Sequence, residues 1–184
     1  MQLKEFKKKV LALIEELNPE SEYLTDDVDI KNKINSVTND VMLELCRFKK
    51  LPAYVEIEVH EGDLITFDDI ERESTYSVYQ LESVQGNCEL KAQGTIIKCL
   101  EDGVLEIDFS RYPELITDKT KDNYEFEMST DVLGILPYGV AGDLLKSDVS
   151  AEYGAVYTSR FETMIGRLDH RYNTGTFYIE GGVI

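Results

Sequence analysis

The apolar positions of this chain change period three times. Over Gln2–Leu17, the residues Leu3, Phe6, Val10, Leu13, Ile14 and Leu17 recur at three- and four-residue spacing, which predicts an amphipathic helix stopped by Asn18-Pro19. A second helix is expected from Thr25 or Asp26. Ile30, Ile34, Val37, Val41 and Leu45 form its stripe, and Asp26, Asp27 and Asp29 lie at the positive end of its dipole. Arg47, Lys49 and Lys50 fall at its negative end, and Leu51-Pro52 closes it.

The period then drops to two. In Tyr54–Val59, Val55, Ile57 and Val59 point one way and Glu56 and Glu58 the other, as in a half-buried strand. Similar alternation over 75–84, 89–92, 95–100 and 104–109, broken by turn-like Gly and Asn, predicts four to six short antiparallel strands. Asp102-Gly103 reads as a two-residue hairpin turn. The stretch Asp68–Glu73 reads as a solvated acidic turn.

Helical spacing returns after Ser129-Thr130-Asp131, a capping cluster. Leu133, Leu136, Val140, Leu144 and Leu145 make the apolar face, and Pro137 predicts a kink or a restart. Gly134, Gly139 and Gly142 lower helix propensity and suit close approach of another helix. A last helix spans about 151–172, with Tyr153, Val156, Tyr157, Phe161, Met164, Ile165 and Leu168 expected on its buried face. The tail alternates again around Thr176, Phe177, Tyr178 and Ile179, an apolar extended segment suited to adding to a sheet edge of another subunit or of a partner protein.

The fold class is therefore α+β: a four-helix core with an antiparallel β insertion and an extended tail. The expected division is 1–52 with 129–172 as the helical core, 53–128 as the insertion and 173–184 as the tail.

Charge sharpens this division. The net charge is −17, and residues 54–131, with 20 acids and 6 bases, hold −14 of it. Such a chain does not grip nucleic acid through phosphate neutralisation, and an anionic membrane surface is disfavoured. Asp68, Asp69, Glu71 and Glu73 are the candidate acidic surface, one that repels DNA or receives a basic partner.

Candidate chemistry is sparse. His60 and His170 stand in no metal-ligand spacing, and Asp26–Asp29 lacks the glycine and glutamate of a calcium loop. There is no phosphate-binding glycine loop and no nucleophile motif. Cys46 fits an apolar helical face, and Cys88 and Cys99 flank an expected hairpin. Three cysteines without a signal-peptide pattern point to reduced thiols in a cytosolic setting. No run reaches the length of a membrane span. The expectation is a chain without catalysis, cofactor or metal.

The stretch Leu133–Arg171 resembles the C-terminal helices of the head–tail connector (adaptor) proteins of tailed bacteriophages. The features that carry the resemblance are Ala141-Gly142-Asp143-Leu144-Leu145, the polar break at 146–151 and Tyr157-Thr158-Ser159-Arg160-Phe161. The acidic start of the second helix, Thr25–Asn35, and the Leu51-Pro52 exit fit the same pattern. About 110 residues are covered. The β middle departs from the simplest, nearly all-helical members, and larger members carry a β insertion between the second and third helices.

The resemblance implies a virion protein, made in the host cytoplasm, that docks under the portal protein as a ring, commonly of twelve copies. Such a ring extends the DNA channel without binding the DNA specifically and offers neck or tail-completion proteins an attachment surface. The alternative is an acidic protein-binding or DNA-mimic module without catalysis.

Overall fold

The computed structural model describes residues 1–93, 96–146 and 151–172, and for 92, 93 and 169–172 the backbone only. The expected tail contact, Thr176 to Ile179, lies outside the described residues. The protein is α+β: among the described residues there are two N-terminal and two C-terminal helices, and between them one short helix and six antiparallel strands in two small sheets. It divides into two units: Met1–Lys49 with the chain from Leu115 onward, and Lys50–Glu114.

The helical unit is built around α4 (Thr130–Leu145). Ten of its sixteen residues are buried, as expected of a helix that is apolar all round. It packs against α1 (Leu3–Leu13), α2 (Val28–Phe48) and α5 (Ala151–Tyr172). Pro137 sits inside α4 without splitting it, so the expected restart does not occur. Ser129 occupies the N-cap position, but its buried hydroxyl makes no capping bond.

Helix α1 ends four residues before the expected Leu17. Glu15 adopts a left-handed conformation (φ 61°), its N–H bonds to Ala12 O, and the Glu16 N–H bonds to Leu11 O. That is a Schellman stop made without glycine, hence invisible to a glycine search. The N-cap of α2 is Asp27, one or two residues later than expected; its carboxylate accepts from the Ile30 N–H at 3.0 Å. Asp26 accepts from the Asn18 carboxamide at 2.6 Å, so this acidic run is consumed by local structure.

The chain returns from the β unit by a fixed path. Asn39 of α2 receives the Ile116 N–H and donates to the Ile116 carbonyl, both at 2.8 Å. Leu3 N–H bonds to Tyr124 O, Gln2 and Glu125 form a bridge, and Phe126 stacks edge-on against Phe6 at 5.1 Å. Residues 115–128 thus belong with the helices: Ile116, Phe126 and Met128 lie in the helical core.

The buried face of α5 differs from the expected stripe. Phe161, Ile165 and Leu168 are buried, and Tyr157 donates its hydroxyl to the Leu13 carbonyl, but Tyr153 and Val156 are 70 % and 64 % exposed. The reason is the approach to α4. Gly142 and Gly154 bring the two backbones together at the start of α5, where a Cβ on Gly142 would meet the Thr158 hydroxyl at 2.7 Å. This turns Gly154, not Tyr153, toward α4.

In the β unit, β1 (Leu51–Val59), β6 (Gly103–Arg111) and β3 (Val78–Gly86) form one sheet in the order β1-β6-β3. The second has the order β2-β5-β4, from β2 (Leu64–Ile65), β5 (Ile96–Cys99) and β4 (Leu90–Gln93). One core lies between them, including Val55, Ile57, Leu105, Ile107 and Phe109 from the first sheet and Ile65, Ile97 and Cys99 from the second.

The Asp102-Gly103 hairpin is not formed. β5 and β6 belong to different sheets, and Gly103 pairs with Val59. Gly103 is needed for space rather than for a turn conformation, because a Cβ there would meet Cys88 Cβ at 2.8 Å. The acidic turn is also not a turn: α3 (Phe67–Ser74) occupies it, with Ile70 fully buried. Thr75, expected in a strand, is instead the left-handed cap of α3 (φ 65°).

Candidate functional site

The residues expected to form an acidic surface divide into two pairs. Asp69 closes a capping box: its carboxylate accepts from the Thr66 N–H at 2.9 Å and the Thr66 hydroxyl at 2.7 Å. Those bonds hold its carboxyl below the usual carboxylate range, with the Arg72 charge helping. Glu71 accepts from the Val78 N–H at 2.8 Å and ties α3 to β3. Of the four, Asp68 and Glu73 are exposed, and Asp69 and Glu71 are half-buried. Two of the four therefore have structural work, and of these the capping box Thr66-x-x-Asp69 in the sequence indicates Asp69 alone.

A second acidic surface lies on the first sheet. Strand pleating sends Glu56 and Glu58 of β1, and Glu106 and Asp108 of β6, away from the core. The register places Glu56 directly opposite Glu106, and Tyr54 opposite Asp108. Tyr54, 50 % exposed, donates its hydroxyl to Glu56 at 2.6 Å, and Ser83 of β3 donates to Asp108 at 2.8 Å. The hydrogen bond to Glu56 comes first among the causes that push the Tyr54 phenol up to about 12; burial and the charges of Glu106, Glu56 and Asp108 add to it.

Like charges directly opposite on neighbouring strands are destabilising. Among the described residues no cation pairs with Glu56, Glu58, Glu106 or Asp108. At the rim, Glu82 does have partners, accepting from Lys50 at 2.8 Å and Ser110 at 2.6 Å. Burial raises its carboxyl, but these two bonds and the Lys50 charge outweigh that and hold it below the usual range. Sequence alternation displays each acid–apolar strand by itself; their meeting follows only from the β1–β6 register.

The helical unit carries a polar groove of about 570 Å³, lined among others by Lys7, Tyr23, Lys31, Asn35, Asp118 and Asp122. Burial pushes the Lys7 ammonium down, against the opposing charges of Asp122 and Asp118. Much of the lining is already engaged: Asn35 donates to Asp118 at 3.0 Å, and Lys31 sits 3.2 Å over the Tyr23 ring.

His60 is exposed, with Nδ1 3.6 Å from Asp102, and the His170 side chain lies outside the described residues. Among the described residues, no group of three His, Cys, Asp or Glu could hold a metal ion. Cys46, Cys88 and Cys99 are free thiols; burial pushes Cys46 and Cys99 up, the latter with help from nearby Cys88. Among the described residues, no helix is long and apolar enough to cross a membrane.

The sequence matches no protein-family model, and no curated protein matches it.

Proposed function

We propose that this chain is a non-catalytic structural adaptor of the head–tail connector type, docking as a ring beneath a portal protein and presenting the β unit to neck or tail components. One observation carries the reading. The N-terminal helices α1 and α2 and the C-terminal helices α4 and α5 form a single unit, and the β unit is inserted between α2 and α4. That is the layout implied by the resemblance of Leu133–Arg171 and Thr25–Asn35 to the connector family. The acidity is compatible with a channel wall, since carboxylates repel passing DNA and do not hold it. Ring formation, portal and tail partners, and a place at the head–tail junction of the virion all belong to this proposal.

The acidic sheet face favours a second reading, a module that engages a basic protein by charge. Electron microscopy separates the two. The chain is mixed with its cognate portal protein over a range of ratios and salt concentrations. Added ring density on the portal supports the adaptor. Bare portal rings under every condition overturn it.

A further inference from the structure

The β unit has a second solvent face, of opposite character to the first. In the sheet β2-β5-β4, Leu64, Lys98 and Lys91 stand in one row across the three strands. Ile96 lies two residues from Lys98 on the same side. Leu64 is 57 % and Ile96 41 % exposed, and both lysines are exposed. Among the described residues neither lysine has an ion-pair or hydrogen-bond partner. Glu89, just before β4, adds one carboxylate at the rim. Both sheets send their apolar residues into one core, so the two outer faces point away from it and from each other.

This unit therefore exposes an acidic face centred on Glu56, Glu58, Glu106 and Asp108 with Tyr54 among them, and a basic, apolar face made by Lys91, Lys98, Leu64 and Ile96. We infer that these faces are complementary halves of one contact, so that the basic face of one copy seats on the acidic face of the next. Lys91 and Lys98 would neutralise the unpaired carboxylates, and Leu64 and Ile96 would cover Tyr54. A contact between two different faces is head-to-tail, and it generates a ring when its rotation closes. It deepens the adaptor reading, resting on it for the ring but not for the contact.

The test is charge reversal on the intact chain, read by sedimentation velocity over a rising concentration series at low and high salt. Wild type is expected to self-associate, and more weakly as salt rises. Lys91→Glu/Lys98→Glu and Glu56→Lys/Glu106→Lys should each weaken self-association by ~10-fold or more, since each sets like charges face to face. An equimolar mixture of the two variants should associate again, because each then offers the charge the other lacks. All four positions are exposed, and circular dichroism confirms that the variants fold.

A wild type that stays monomeric throughout overturns the contact. So does association indifferent to either reversal, or a mixture that fails to recover. Sensitivity to only one of the two reversals sets that face against a different patch of the same chain and also overturns it. The portal experiment is independent. Portal rings that form with both variants leave the adaptor standing without this contact. Reversible self-association with bare portals leaves the contact standing without the adaptor.

Discussion

Glu56 of β1 and Glu106 of β6 stand directly opposite each other on the solvent face of one sheet, and no cation among the described residues lies between them. A fold selected for stability alone would place a lysine at one of the two positions.

Replacing Glu106 by Gln or Lys is therefore expected to stabilise the protein. The gain should be about 0.2–1 kcal/mol, the usual scale of cross-strand pairs, and should shrink in high salt. Urea denaturation at two salt concentrations measures it. A loss of stability on Glu106→Gln would show that the carboxylate has a favourable partner.

The Tyr54 phenol should titrate near 12, well above an ordinary tyrosine. Its hydrogen bond to Glu56 and the surrounding carboxylates all disfavour the phenolate. Glu56→Gln removes the acceptor charge and should bring the value down. NMR of ring-labelled tyrosine, with Tyr54→Phe to assign the resonance, follows the shift directly.

Helix α3 depends on the Thr66–Asp69 box. Asp69→Ala should cost about 0.5–2 kcal/mol at neutral pH, the range of lost helix caps. The pH dependence has a definite sign. The folded-state pKa of Asp69 lies below the unfolded value of about 3.9, so its contribution is complete above that value. The contribution is lost as pH falls through the folded pKa. The difference between wild type and Asp69→Ala should thus vanish in acid. A constant difference across pH would place the effect in packing.

Three glycines of α4 make opposite predictions. A Cβ on Gly139 would come within 2.7 Å of both Phe161 and Val41, so Gly139→Ala should destabilise by about 1–3 kcal/mol through overpacking. Gly142→Ala should act alike, against the Thr158 hydroxyl and backbone. Gly134 has nothing within 4 Å of its Cβ position, so Gly134→Ala should stabilise by up to about 1 kcal/mol through helix propensity. Thermal melts of the three variants check the order.

Much of this was legible in the chain. The 3.6-residue stripes locate α1, α2, α4 and α5, and Gly139 and Gly142 mark close approach as expected, whereas Gly134 faces open space. Helix α3 is not legible in the periodicity: its acids look like a solvated turn, and only Phe67 and Ile70 carry apolar weight. The capping box at Thr66 and Asp69 was the available signal. The hairpin at Asp102-Gly103 failed for a different reason. A turn dipeptide states a local preference, whereas β6 pairs with β1 and β3 in one sheet and β5 pairs with β2 and β4 in the other.

The sequence by itself determined which residues alternate with which: the valines, isoleucines and leucines of β1 and β6 against their glutamates and aspartate, and Lys98 of β5 against its buried neighbours Ile97 and Cys99. These periodicities are properties of a single strand, because pleating has a two-residue repeat. Only the tertiary structure decided that Glu56 meets Glu106, that Lys91 meets Lys98, and that the two charges end up on opposite sides of one core. Register and sheet order arise from long-range pairing, which no local pattern encodes.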